Sequence, residues 1–156
     1  MEKYFDIRYE FDKNRVHSLI AQQVEKKEPG YICVADGNIL NMVSYNRKYR
    51  NIINGGMFSI CDSSWVPVFV RWIYGYNYKQ YCGSDIFADI VYGRKYRMIF
   101  LGTKQEILNA LQKNLAKDNP DVINMTFREL PFCKVEDFDY PAIAKLVEED
   151  GADIIW

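Results

Sequence analysis

Polar side chains that could take part in chemistry follow apolar runs of this sequence that we predict to be strands. In chain order they are Asp36 and Asn38 after "YICVA", Asp62 after "MFSIC", and the turn Gly102-Thr103 after "RMIFL". A carboxylate can act as a general base toward a hydroxyl group, and an amide side chain can hydrogen-bond sugar hydroxyls or a nucleobase. A glycine turn before a helix N-terminus favours a phosphate. Because ligands of open α/β sheets bind beyond the carboxyl ends of parallel strands, these residues form the candidate site.

Each of these candidates also has a structural interpretation. Asp36 is explained by N-capping of the helix that follows it, with Gly37 relaxing the turn, and the pattern alone favours that role. For Asp62 a cap role and a functional role stay equally open, since Ser63 and Ser64 are equally good caps. The turn at Gly102 is neither a G-x-G-x-x-G motif nor a P-loop, so it does not by itself specify a phosphate site.

The composition excludes some classes of function. The balance of 20 basic and 21 acidic side chains gives a net charge of −1, which is not the basic footprint of a nucleic-acid-binding protein. The N-terminal residues lack the apolar core of a signal peptide, and no later stretch reaches the ~20 apolar residues that span a bilayer. Cys33 and Cys61 are predicted to be buried free thiols of a reducing cytoplasm. Since the one histidine, His17, is far from any cysteine pair, we expect no metal site.

Short apolar runs alternate with amphipathic helical stretches along the chain. This alternation predicts an α/β, Rossmann-like layered fold with a mainly parallel sheet flanked by helices. Residues 3–11 are predicted to form an edge strand. Helix starts are predicted at the N-caps Asp12, Ser84 and Asp139, and at a T-x-x-E capping box formed by Thr103 and Glu106.

The last predicted strand, "ADIIW", ends the sequence at Trp156. A buried parallel strand normally continues into a helix that covers the sheet. Either this strand closes a compact sheet or the chain is a fragment, and we favour the fragment. We therefore expect residues 1–156 to form a single α/β domain that is truncated at its C-terminus.

Four short motifs occur in an order and spacing that match a known family pattern. They are Asp36-Gly37-Asn38, Asp62-Ser63, Gly83-Ser84-Asp85 and Leu101-Gly102-Thr103. In this order and spacing the chain resembles the WecG/TagA/CpsF family of bacterial inverting glycosyltransferases, which has T-x-N, an acid usually followed by glycine, G-x-D and L-G-G at these places. Gln80 stands where an arginine commonly precedes the G-x-D helix. The resemblance covers nearly the whole chain.

The resemblance implies a function in cell-surface polysaccharide synthesis. An N-acetylmannosamine-type sugar would pass from a UDP-sugar to a polyprenyl-diphosphate-linked glycan acceptor with inversion and without a cofactor. The protein would be cytoplasmic, associated peripherally with the inner face of the bacterial cytoplasmic membrane, and able to form homo-oligomers. The alternative is a non-catalytic relative that binds a sugar nucleotide or acts as a scaffold in the same pathway.

The resemblance also assigns roles to individual residues. Asp62 matches the proposed general base. The residues that would contact the donor or acceptor are Asp36, Asn38, Gln80, Gly83 and Asp85, and those that would contact the nucleotide are Leu101, Gly102 and Thr103. The aromatic stretch 72–81, "WIYGYNYKQY", is open to two interpretations, an oligomer interface or a wall of the acceptor site.

Overall fold

The computed structural model describes residues 2–156 and confirms the mixed α/β architecture. Its helices are α1 (Lys13–Lys26), α2 (Gly37–Tyr45), α3 (Arg47–Gly55), α4 (Trp65–Tyr74), α5 (Gly83–Gly93), α6 (Gln105–Leu115) and α7 (Tyr140–Asp150). Its strands are β1 (Ile32–Ala35), β2 (Phe58–Cys61), β3 (Met98–Leu101), β4 (Thr126–Arg128) and β5 (Ile154–Ile155). Short 3-10 segments span Pro120–Asn124 and Val135–Asp137.

The chain divides into two compact units, residues 1–87 and residues 88–156. Each unit has its own sheet, β1-β2 in the first and β4-β3-β5 in the second. All pairs among these strands are parallel, which agrees with the Rossmann-like layered fold expected from the sequence. The parallel strands of the described residues thus form two small sheets.

The core of the first unit surrounds β2, in which all four residues are buried. Two of its helices add aliphatic residues to the interior, Val16 and Ile20 from α1 and Val66 and Val70 from α4. Full burial of such a side chain stabilises the fold by about 1.5–3 kcal/mol. The predicted cap of α1 is confirmed, because the Asp12 side chain accepts a hydrogen bond from the N–H of Arg15.

The N-terminal segment is not the continuous edge strand that the sequence predicts. Phe5 and Asp6 have positive φ angles of 53° and 63°, which break the extended backbone. Its backbone pairing with β2 is limited to a parallel bridge between Tyr9 and Ser59, with hydrogen bonds of 2.8 Å on either side of Tyr9. The prediction over 3–11 was therefore wrong except around Tyr9.

The second unit is built around β3, which lies between β4 and β5. Met98, Ile99 and Phe100 are buried, and the ring of Phe100 stacks on that of Phe127 in β4 at 4.3 Å. The buried Asn119 side chain donates a 2.7 Å hydrogen bond to the carbonyl of Val91, which satisfies two polar groups in the interior.

A paired carboxylate joins several elements of this second unit. The side chain of Asp150, at the end of α7, is only 4% exposed and accepts hydrogen bonds from Arg97 at 2.9 and 3.0 Å. Thr126 of β4 also donates to it. The N-cap predicted for α7 is confirmed, since Asp139 accepts a hydrogen bond from the N–H of Ala142.

Candidate active site

Two carboxylates lie at the same edge of the first sheet. Ala35 of β1 pairs with Cys61 of β2, so Asp36 and Asp62 follow the two strands at equivalent positions. The N–H of Asp62 donates a 3.1 Å hydrogen bond to the carbonyl of Ala35 and extends the pairing by one step. Neighbouring strands are about 4.8 Å apart, so the two acids belong to one patch of surface at the carboxyl ends of the strands.

Asp62 is exposed, and one of its oxygens is held in place. Its Oδ1 accepts a 2.9 Å hydrogen bond from the backbone N–H of Gly83, the first residue of α5. An acid at the start of a helix is also favoured by the helix dipole. The second oxygen, Oδ2, accepts no hydrogen bond from residues 2–156. The carboxylate is thus oriented by the backbone with one oxygen available to a ligand.

The close approach of α5 to this edge is made easier by a glycine at its first position. A Cβ on Gly83 would lie 3.0 Å from Cγ1 of Val34 in β1 and 3.9 Å from Oδ1 of Asp62. The first of these distances is shorter than ordinary van der Waals contact. Gly83 therefore contributes its backbone N–H and the space that lets this N–H reach Asp62.

Asp36 has the structural role that its pattern favoured. Its Oδ1 accepts a 2.9 Å hydrogen bond from the N–H of Ile39 as the N-cap of α2. Its Oδ2 accepts a 3.3 Å hydrogen bond from the side-chain amide of Asn38, which is exposed. Both residues lie at the strand edge, and they are hydrogen-bonded to each other.

The structure places two further predicted site residues in the first unit. The Asp85 carboxylate turns back to the start of its own helix, where it accepts hydrogen bonds from the N–H and the thiol of Cys82 at 3.4 and 3.0 Å. Ser84 lies inside the first turn of α5 and not at its N-cap, so that prediction was wrong. The helix begins at Gly83, two residues earlier than an N-cap at Ser84 would place it. There carboxylates accept hydrogen bonds from the N–H groups of Cys82 and Gly83. Gln80 is exposed in the segment before α5.

A buried hydroxyl lies near this edge, and the sequence analysis missed it. Tyr9 is 3% exposed, and its hydroxyl has no hydrogen-bond partner among residues 2–156. Burial raises the pKa of Tyr9, and the charges of Cys61 and Asp36 raise it further. Burial, together with the charge of Asp62, also raises the pKa of the Cys61 thiol to about 11. The signal in the sequence was the alternation of apolar and charged residues around Tyr9, which lies between Arg8 and Glu10.

In the second unit the predicted nucleotide residues form a turn at the carboxyl end of β3. The N–H of Leu101 donates to the carbonyl of Trp156, and that of Gly102 donates to the carbonyl of Arg128. Gly102 has a φ of 122°, a conformation that side chains rarely adopt, and Thr103 has a φ of 46°. The turn therefore needs its glycine.

The start of α6 differs from the predicted capping box. Lys104 is the N-cap and makes no side-chain cap hydrogen bond. The first helical N–H, that of Gln105, donates instead to Oε2 of Glu129 at 2.9 Å. Glu129 comes directly after β4, so a distant acid takes the place that Thr103 and Glu106 were expected to fill. Its position after a strand was the signal that could have revealed it.

A comparison of the sequence with known protein families identifies the family of this chain. The sequence matches the glycosyl transferase WecG/TagA/CpsF family over residues 4–156. The chain belongs to this family. It is therefore a member of a glycosyltransferase family.

A search among curated proteins and two searches of residues 2–156 gave no match, no candidate metal site and no candidate membrane span. No curated protein matches the chain. Among residues 2–156 no three His, Cys, Asp or Glu side chains come together in a way that could hold a metal ion. In the same residues, no helix combines the length and the apolar character needed to cross a membrane.

Proposed function

We propose that this chain transfers an N-acetylmannosamine-type sugar from a UDP-sugar to a polyprenyl-diphosphate-linked acceptor, with inversion at the anomeric carbon. Membership of the glycosyltransferase family supports the reaction class. The observation that carries the proposal is the exposed Asp62 carboxylate at the carboxyl end of β2, with Oδ1 held by the Gly83 N–H and Oδ2 open.

In the proposed step, Asp62 is the general base. The acceptor hydroxyl oxygen attacks the anomeric carbon from the face opposite the UDP group, and its proton passes to Oδ2 of Asp62. The bond from the anomeric carbon to the diphosphate oxygen breaks, and its electron pair leaves with UDP. Because the hydrogen bond from Gly83 fixes Oδ1, the base needs little reorganisation as the proton is transferred.

The leaving diphosphate requires positive charge or N–H donors. The family pattern suggests the turn Leu101-Gly102-Thr103 of the second unit as the nucleotide contact, and Lys104 and Arg128 are exposed basic residues of the same unit. Asp36, Asn38, Gln80 and Asp85 are candidates for contacts to sugar hydroxyls, as the family pattern suggests. In this proposal Asn38 exchanges its hydrogen bond with Asp36 for one to a ligand hydroxyl.

The proposal places the protein at the inner face of the bacterial cytoplasmic membrane as a peripheral protein. A polyprenyl-linked acceptor stays in the bilayer, so the enzyme must reach it there. Homo-oligomers are part of the same proposal.

Release of UDP from candidate UDP-sugars, with a short-chain polyprenyl-diphosphate-linked acceptor, tests the reaction. We expect Asp62→Asn to lower kcat by about 10²–10⁴-fold, the usual contribution of a general base. An asparagine can still accept the Gly83 hydrogen bond, so the fold should persist. Asp121→Asn, an exposed acid of the second unit, is the control and should leave kcat unchanged. Full activity of Asp62→Asn would remove Asp62 as the base.

A second candidate function is that of a non-catalytic relative, which binds a sugar nucleotide without turnover or acts as a scaffold in the same pathway. The specific observation in its favour is the carboxylate of Glu129 on the first N–H of α6, where an anion such as a diphosphate would otherwise be favoured. Gln80 in place of an arginine points in the same direction. The absence of UDP release from every tested UDP-sugar would favour this candidate, and a UDP-binding measurement would then separate a sugar-nucleotide-binding protein from a scaffold.

A further inference from the structure

The outward face of α4 carries three large aromatic side chains, which we call the α4 stripe: Trp65, Phe69 and Trp72. They are 65%, 43% and 75% exposed. The ring centroids of Trp65 and Phe69 are 6.3 Å apart, as are those of Phe69 and Trp72. Their spacing places them on one side of the helix, and Ile73, at 64% exposure, lies next to Trp72 in sequence. The α4 stripe is thus a continuous apolar surface.

The opposite side of α4 already supplies the packing that the fold needs. Val66, Pro67 and Val70 are buried in the first unit. Exposed apolar patches of this kind mark sites of interaction with a partner or a membrane. The α4 stripe is therefore available for such an interaction without any change in the core.

The segment that holds the α4 stripe carries charge of one sign between two acids that flank it in sequence, Asp62 and Asp85. Residues 63–84 contain no acidic side chain and two basic ones, Arg71 and Lys79, although the whole chain has a net charge of −1. Both basic residues are exposed, and Arg71 lies in the last turn of α4. An apolar stripe with basic neighbours complements an anionic, partly apolar partner.

We propose that the α4 stripe docks onto an anionic lipid bilayer. Tryptophan and phenylalanine on one face of a helix insert at the boundary between headgroups and acyl chains, and basic residues beside them contact anionic headgroups. A second copy of the chain is a poorer fit to the area. An aromatic side chain has a surface of ~150–250 Å², so the three rings together expose roughly 400 Å². A stable interface buries about 800 Å² on each partner.

The α4 stripe lies close to Asp62 in sequence, so docking onto a bilayer would bring a lipid-linked acceptor near the proposed base. This part of the inference rests on the proposed function. Trp65 lies three residues after Asp62, and its N–H donates a 3.3 Å hydrogen bond to Oγ of Ser63. A bilayer seated on the stripe would lie beside the carboxylate edge of the first sheet. A lipid-linked acceptor would then present its hydroxyl near Asp62 without leaving the membrane.

Co-sedimentation of the full chain with lipid vesicles tests the docking. We expect binding to vesicles of phosphatidylcholine and phosphatidylglycerol in equal parts, and much weaker binding to phosphatidylcholine alone. The double variant Trp65→Ala/Trp72→Ala should bind the mixed vesicles at least tenfold less. Tyr45→Ala, which removes a 69% exposed ring from α2, is the matched control and should bind as the wild type does.

The charged and aromatic contributions can be separated. Arg71→Gln/Lys79→Gln should weaken binding to the mixed vesicles by about fivefold per charge, and leave binding to phosphatidylcholine unchanged. Tryptophan emission of the wild type should shift to the blue on binding. The variant Trp65→Phe/Trp72→Phe should still bind, with this shift lost.

Three results would overturn the proposal. They are the absence of vesicle binding, vesicle binding that survives Trp65→Ala/Trp72→Ala unchanged, and a self-association in solution that this variant abolishes while vesicles are not bound. Sugar transfer to a water-soluble acceptor is measured in parallel. Sugar transfer without vesicle binding would contradict only the docking proposal. Vesicle binding without sugar transfer would contradict only the proposed function.

Discussion

Asp62 and Gly83 are 21 positions apart in the sequence, yet a 2.9 Å hydrogen bond from the Gly83 N–H holds the Asp62 carboxylate. The two residues belong to the loop after β2 and to the first turn of α5. Their contact links a side chain suited to proton transfer with a backbone donor that every substitution except proline keeps. The orientation of the candidate base therefore depends on where α5 begins.

Substituting Gly83 tests that dependence. In Gly83→Ala the new Cβ would meet Cγ1 of Val34 at 3.0 Å, so Val34 or the start of α5 must shift by a few tenths of an ångström. We expect UDP release to fall about tenfold, because a small misplacement of a catalytic group is costly. The free energy of unfolding should change by less than about 1 kcal/mol, since alanine is the better helix former.

Gly93→Ala is the matched control for this variant. Gly93 ends the same helix, and a Cβ there would meet nothing within 4 Å. It should leave UDP release unchanged. Equal rates for Gly83→Ala and the wild type would show that the geometry of the Asp62–Gly83 contact does not limit the reaction.

Removing the Tyr9 hydroxyl should not destabilise the fold. This group is buried and has no hydrogen-bond partner among residues 2–156, and an unsatisfied buried polar group costs about 1–3 kcal/mol. We expect Tyr9→Phe to raise the free energy of unfolding by about 1 kcal/mol in urea denaturation. Tyr4→Phe is the control, because the Tyr4 hydroxyl contacts Glu2 at 2.8 Å and Tyr78 at 3.0 Å, and its loss should lower stability by about 1 kcal/mol. A clear loss of stability in Tyr9→Phe would mean that its hydroxyl has a partner such as a bound water.

Neutralising Glu129 should strengthen the binding of UDP. Its carboxylate receives the first N–H of α6, beside the turn that we assign to the nucleotide. Glu129→Gln keeps an oxygen acceptor for this N–H and removes a negative charge that would repel a diphosphate. Calorimetry should give a Kd for UDP about three- to tenfold lower at low salt, with a smaller difference at high salt.

Glu106→Gln provides the comparison for Glu129→Gln, since it removes an exposed acid from the first turn of the same helix. Its effect on the Kd should be the smaller of the two. Weaker UDP binding by Glu129→Gln would instead assign Glu129 to the ribose hydroxyls and reverse our interpretation.

The ion pair of Arg97 and Asp150 should contribute strongly to the stability of the second unit. Arg97→Leu leaves a carboxylate that is 4% exposed without its charged partner, and we expect it to lower the free energy of unfolding by about 3 kcal/mol. The control is Lys145→Gln, which removes an exposed pair with Glu149 and should cost no more than about 0.5 kcal/mol.

The same pair predicts a dependence of stability on pH. Burial acts to raise the pKa of Asp150, but hydrogen bonds from Thr126 and Arg97 and the charge of Arg97 outweigh it and hold the pKa below its ordinary value of 3.8. A lowered pKa in the folded state adds stability that is complete above the pKa of the unfolded chain. This stability is lost as the pH falls below 3.8 through the folded value. In urea denaturation Arg97→Leu should flatten this acid limb, and an unchanged limb would contradict the assignment.

Much of the fold follows from local chemistry along the chain. Asp12, Asp36 and Asp139 cap helices as predicted, because a cap acts on N–H groups within a few residues of itself. Apolar runs marked the strands before Asp36 and Asp62, since a buried parallel strand needs apolar side chains on both faces. The motif order was enough to indicate the family.

Hydrogen bonds between residues far apart in the sequence could not be predicted from local residue types. Glu129 reaches the start of α6 because the parallel strands β3 and β4 bring their carboxyl ends to one edge of their sheet, whatever their separation in sequence. Asp62 reaches the start of α5 because that helix begins close to Val34 of β1, the strand that pairs with β2. Thr103 has the residue type of a cap, but the turn gives it a φ of 46°, and a distant acid serves the helix instead. Residue types and spacing supply candidate groups, while packing and strand register select which of them meet.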